Sequence, residues 1–152
     1  MIRFITTIIT VIIIVITAIS CASNKAQLIS AESTKVFGTT ITVQSSKMSN
    51  NGIVYYSLYN SNESFINKTP LQYKMSKVTN GEAKIVFTDV PKGTYAVLCF
   101  QDMNDNKRLD FEGYIPTEPY GMSNNPQLMG PPRFDLLKFE VETTNIILDL
   151  EM

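Results

Sequence analysis

Val90-Pro91-Lys92-Gly93-Thr94-Tyr95-Ala96-Val97-Leu98-Cys99-Phe100-Gln101 decides the fold. Pro91 and Gly93 punctuate a turn, and the aromatic and β-branched run behind them reads as a strand from Thr94 to Gln101. Outward from this strand, period-two patterns recur on both sides. Thr39 to Gln44 is β-branched, Gly52 to Tyr59 places Val54, Tyr56 and Leu58 on one face, and Leu71 to Val78 is a weaker third run. Ala83 to Asp89 puts Ile85 and Phe87 on one face. Asn50-Asn51-Gly52 and Asn80-Gly81 are hairpin-type breaks between these runs.

Past a long loop, Leu137, Phe139 and Val141 alternate, and Ile146, Leu148 and Leu150 alternate again beyond a Thr143-Thr144-Asn145 turn. No segment after the N-terminal leader has the length and period of a substantial helix. About seven short antiparallel strands suit an all-β fold, a Greek-key β-sandwich over residues 38–152. The turn and strand around Tyr95 resemble those of immunoglobulin-like, fibronectin-like and transthyretin-like domains. There a Tyr near the strand start bonds back to upstream backbone, so the resemblance implies that Tyr95 is a corner pin. An ordinary core tyrosine is the plainer alternative.

Composition narrows the function. The chain of 152 residues is 44% hydrophobic and 18% charged, which fits one folded domain with a modest core. A formal net charge of -1, with the basic residues scattered, argues against a nucleic-acid partner. The sequence has no His, which removes Ser-His-Asp and Cys-His catalysis and HExxH zinc chemistry.

The N-terminus reads as an export signal over residues 1–20. Ile5 to Ile19 is almost entirely Ile, Val and Thr, follows Arg3, and ends at Ala18-Ile19-Ser20-Cys21. The run is shorter than the ~20 residues that span a bilayer as a helix, so a permanent membrane anchor is the weaker reading. Cys after small residues resembles a bacterial lipobox, with Ala18 where that pattern prefers Leu. The resemblance implies lipidation at Cys21, a membrane partner through that lipid, and location in the bacterial envelope, facing the periplasm or the cell surface. Residues 21–37 are polar and read as a tether. Cys99, the remaining cysteine, lies in the apolar strand and reads as a small buried hydrophobe.

Directly after that strand comes Asp102-Met103-Asn104-Asp105-Asn106-Lys107-Arg108-Leu109-Asp110. Asp102, Asn104 and Asn106 stand at the first, third and fifth positions of an EF-type loop, Arg108 offers a backbone carbonyl at the seventh, and Asp110 is ninth. Alternating oxygens of this kind suit a hard cation. Lys107 replaces the turn glycine and Gly113 stands where a bidentate Glu would close the shell, so a helix-loop-helix EF-hand is rejected. Glu118 is the preferred distant ligand, and Ca2+ fits better than Mg2+, which demands a tight octahedron. The plain alternative is a set of Asx turns with no ion.

A connection of some thirty residues without periodicity calls for a function or an ordering device. Its second half, Gly113 to Pro132, carries Tyr114, Tyr120, Met122 and Met129. With Ser123, Asn124 and Asn125, the two tyrosines form a candidate platform for a protein or carbohydrate partner. The reading that these apolar groups fold back to cap the sandwich is the stronger one, because large apolar side chains are normally buried.

The Asp-rich loop, the Gly113-Tyr114-Ile115-Pro116-Thr117-Glu118-Pro119-Tyr120-Gly121-Met122-Ser123-Asn124 segment and the Gly130-Pro131-Pro132 turn together resemble the bacterial secreted family known as domain of unknown function 2141. The resemblance runs from about Thr39 to Glu151. It matches Asp102, Asn104, Asn106, Asp110 and Glu118 to the family's polar positions, and Gly121, Ser123 and Asn124 to its second segment. Asp105 and Lys107 stand where glycine is frequent, which questions the tightness of the turn. The loop is also similar to calcium loops of bacterial surface adhesins.

Two functional classes follow. The first is a non-enzymatic, calcium-stabilised β-sandwich lipoprotein that binds or builds at the cell envelope. The second is a hydrolase acting on envelope or extracellular glycans with Asp102, Asp110 and Glu118 as acid, base or metal ligands.

Overall fold

In the computed structural model residues 38–152 are described; the signal segment and the whole tether, Cys21 included, lie outside the described residues. The alternating segments become strands β1 (Thr39–Ser46), β2 (Ile53–Tyr59), β3 (Gln72–Lys77), β4 (Ala83–Val90) and β5 (Gly93–Asp102). Three short strands lie in the long loop, β6 (Phe111–Glu112), β7 (Ile115–Pro116) and β8 (Tyr120–Met122), and β9 (Phe139–Val141) and β10 (Ile146–Glu151) follow. Two short helices also form, α1 (Asn62–Ile66) and α2 (Phe134–Leu137).

The strands build a three-stranded sheet, β10-β1-β4, and a larger one, β3-β2-β5-β8, in which β9 pairs with the first residues of β5. Ile41 and Val43 of β1, Ile85 and Phe87 of β4 and Leu150 of β10 share one buried cluster with Val54, Tyr56 and Leu58 of β2 and with Tyr95, Val97 and Cys99 of β5. A core drawn from both sheets means that they pack face to face. Each fully buried Phe, Leu, Ile or Val contributes about 2 kcal/mol by leaving water. The Tyr95 hydroxyl donates to the Pro91 carbonyl at 2.9 Å, so this residue pins the β4–β5 corner.

Two features depart from the sequence reading. β10 pairs with β1 in parallel, from Ile41 opposite Ile146 to Ser46 opposite Glu151. The cause is where the chain turns: Thr39 Oγ1 donates to the Glu142 carbonyl and Thr40 N to Asn145 Oδ1, so β10 starts beside the start of β1 and runs with it. Leu137 ends α2 rather than a strand, because Phe134 and Leu137 pack with Tyr59, Ala96 and Met122 in a second cluster outside the larger sheet. The Asn60 to Thr69 connection contains α1, capped by reciprocal bonds between Ser61 and Ser64. Its Phe65 meets Tyr59 and Phe134 edge-on.

The same register defines two poles. Thr39 pairs with Val90 beside the turn that opens β5, and β5 then runs the length of the sheet to Asp102, opposite Ile53. The Asp-rich loop is therefore at the pole opposite the one where the chain enters. Among the described residues no helix is long and apolar enough to cross a membrane.

Candidate functional site

β5 delivers Asp102 at its last residue, nearly buried, onto a backbone that only glycine allows nearby. Gly52 has φ +83°, and a Cβ there would lie 2.3 Å from the Asp102 carbonyl oxygen. From this base the loop folds on its own side chains. Asp102 Oδ1 accepts from Asn106 N at 3.2 Å and Oδ2 from Lys107 N at 2.8 Å. Asn104 Oδ1 accepts from Asn106 N at 3.1 Å, and Asn106 Oδ1 from Arg108 N at 2.8 Å. The bonds of Asn104 and Asn106 are Asx turns in series, each taking the N–H two residues on, while Asp102 reaches four and five residues ahead.

The doubt about the tightness of the turn is resolved by backbone geometry. Asp105 and Lys107 have φ of 61° and 63°, the left-handed conformation glycine would supply. That costs about 1 kcal/mol for each residue carrying a Cβ, and the carboxylate and amide bonds offset it.

Asp110 sits within the same cluster. Its carboxylate accepts from Asn104 Nδ2 at 2.7 Å and from Asn106 Nδ2 at 2.9 and 2.8 Å. Glu118 reaches back from beyond the β6–β7 ribbon, also nearly buried. Its Oε1 accepts from Met103 N at 2.8 Å and its Oε2 from Asp110 N at 3.3 Å. Asp102, Asn104, Asn106, Asp110 and Glu118 are thus linked through one loop, while Arg108 is exposed and takes part through its backbone N–H. Among the described residues no group of three or more His, Cys, Asp and Glu side chains has a metal-holding arrangement. A shell here draws on the amide oxygens of Asn104 and Asn106. Each of the five side chains places an sp2 oxygen, which carries two lone pairs, in the cluster.

The second half of the connection is organised differently. Ser123 is fully buried, and its Oγ accepts from Val97 N at 3.0 Å and donates to the Leu137 carbonyl at 2.6 Å. Asn124 Nδ2 donates to the Leu136 and Lys138 carbonyls, and Asn125 binds the Asp149 carbonyl and Glu151 N. The polar groups of these three residues clasp the loop to β5, α2 and β10, and burial corrects the platform reading for Ser123, which is out of reach of a ligand. The capping expectation is also corrected. Met122 is buried, but Tyr114 and Met129 are fully exposed and Tyr120 is 41% exposed. The reason is the β6–β7 ribbon, whose two-residue strands hold Tyr114 at a Gly113 turn away from the sheets.

Two features went unnoticed in the sequence. Phe111 and Ile115 join Tyr114 as exposed apolar groups on the ribbon, at 56% and 72%. The short Phe111-Glu112-Gly113-Tyr114-Ile115 pattern around one glycine was the available signal. On the outer face of the larger sheet, Tyr73, Tyr55 and Phe100 stack at 5.7 and 5.3 Å, visible in sequence only as the second face of β2 and β5. Burial pushes the Cys99 thiol up to about 12, against partial relief from hydrogen bonding with Ser45 and the Gly121 backbone, so it stays a neutral core group.

A family model described as an uncharacterized protein conserved in bacteria (DUF2141) matches residues 41–148. The chain belongs to this family. No curated protein and no solved structure matches it. The matched span opens in β1 and closes in β10, so the DUF2141 unit takes in both sheets and the whole connection between β5 and β9.

Proposed function

We propose that this DUF2141 protein is an exported, lipid-anchored and non-enzymatic module of the bacterial envelope. In this reading a Ca2+ ion held by Asp102, Asn104, Asn106, Asp110, Glu118 and the Arg108 carbonyl orders an exposed ribbon for a protein or carbohydrate partner. The observation that carries it is the run of bonds from the side chains of Asp102, Asn104 and Asn106 to backbone N–H groups ahead of them. Each fixes a side-chain oxygen at an alternate position against a backbone N–H and leaves that oxygen a second lone pair. A mixed carboxylate and amide set suits the flexible six- to eight-oxygen shell of calcium. Binding exchanges the contacts of Asp110 with the two Asn amide groups for contacts with the ion.

The anchor is supported by the sequence, where the apolar run from Ile5 to Ile19 ends in small residues directly before Cys21. A hydrolase gains no support from the geometry, because both oxygens of Asp102 and of Glu118 accept backbone N–H bonds.

Thermal melts in millimolar calcium and in chelator test the ion. At one hundred times its dissociation constant calcium stabilises the chain by about 2.7 kcal/mol. No shift, or an equal shift in Asp102→Ala, contradicts the reading. Mass spectrometry tests the anchor independently: acyl chains on Cys21 are expected, and a mature N-terminus elsewhere overturns it.

A further inference from the structure

β10 has the composition and the position of a hazardous strand. Ile146-Ile147-Leu148-Asp149-Leu150-Glu151 is apolar and β-prone, and it ends the three-stranded sheet, paired with β1 on one side and with only Gly121 of β8 close against its Glu151 end on the other. Such an edge is a template for pairing with another chain unless something covers it. Ile147 is 67% exposed. The charges on the strand are already engaged: Lys47 pairs with Glu151 at 2.7 Å and Gln44 donates to Asp149 at 3.1 Å. Repulsion between copies is weakened to that extent.

Backbone groups of a strand alternate sides, so residues 146, 148 and 150 serve the ladder with β1 and residues 147, 149 and 151 turn outward. Two of the outward groups are occupied. Asn125 Nδ2 donates to the Asp149 carbonyl at 2.9 Å, and Asn125 Oδ1 accepts from Glu151 N at 3.0 Å. One side-chain amide thereby makes the donor and acceptor pair that a neighbouring strand would make. Asn124 and Asn125 hold φ of 68° and 43° in succession, a left-handed pair that Asn tolerates better than most residues. Among the described residues these are the only hydrogen bonds made to the outward backbone groups of β10.

We infer that Asn125 is an edge guard, a side chain that imitates an added strand on β10 and keeps a second copy of this chain from pairing there. The inference stands apart from the calcium site, which is built on other residues.

The test compares Asn125→Ala with Asn124→Ala by sedimentation across a range of concentrations, in chains that all carry Cys21→Ser. Asn124 clasps the carbonyls of Leu136 and Lys138 instead, so its loss weakens the same segment without baring the edge. Asn125→Ala is expected to associate with concentration, doubling the apparent mass, while Asn124→Ala matches the parent chain. Hydrogen exchange on the parent chain gives a second reading, decisive where Asn125→Ala does not fold. The Glu151 amide should exchange at least about tenfold more slowly than that of Ile147. An Asn125→Ala chain that sediments like Asn124→Ala, or a Glu151 amide as fast as that of Ile147, overturns the inference.

Discussion

The two halves of the connection between β5 and β9 use the same kinds of polar residue to opposite ends. From Asp102 to Glu118 the side-chain oxygens mostly accept backbone N–H groups, with the Asn104 and Asn106 amides donating only within the cluster to Asp110, and the ribbon they support exposes Phe111, Tyr114 and Ile115. From Ser123 to Asn125 the side chains mainly give protons to carbonyls of β5, α2 and β10, and Ser123 is sealed from water. The first half keeps carboxylates with spare lone pairs, which the proposed cation would use. The second has spent its polar groups on the fold. Burial alone does not mark the difference, since Asp102 and Ser123 are both buried; the direction of their hydrogen bonds does.

That contrast is open to attack by substitution. The largest effect is expected for Gly52→Ala, which drives a Cβ into the Asp102 carbonyl from a left-handed backbone. A loss of about 3 kcal/mol in denaturant melts is expected, from strain and overpacking together. Ser123→Ala should cost about 2 kcal/mol, because Val97 N and the Leu137 carbonyl each lose a buried partner. This loss should be the same with calcium and with chelator; a calcium-dependent loss would join the two halves and break the contrast. Asp110→Ala should cost about 1 kcal/mol in chelator, where its partners are half-exposed amides, and more in calcium. Tyr114→Ser should change stability by less than about 0.5 kcal/mol, since the side chain is fully exposed. A larger loss would mean that the ribbon tip packs on the domain after all.

The inward-facing core was legible because period two is a local property. Val54, Tyr56 and Leu58, and Ile85 with Phe87, face inward as their alternation requires, and Tyr95 pins its corner. The direction of β10 was not legible, since it depends on where Glu142 and Asn145 dock against β1. Leu137 fits a strand by alternation with Phe139 and Val141, yet packing against Tyr59 and Met122 draws it into α2. At the loop, residue types and spacing identified the polar cluster, but Asp105 and Lys107 hid a turn that the bonding of Asp102 enforces without glycine. The clasping role of Ser123, Asn124 and Asn125 was not legible, because a hydroxyl and two amides look alike whether they serve a ligand or a distant carbonyl.

The proposed role of the first half of the connection depends on a cation held there. Calorimetric titration of the purified chain with Ca2+ tests it most directly. One ion per chain is expected, with binding lost in Asp102→Ala and retained in Ser123→Ala; no heat of binding for a folded wild-type chain, or equal binding in Asp102→Ala, would contradict it.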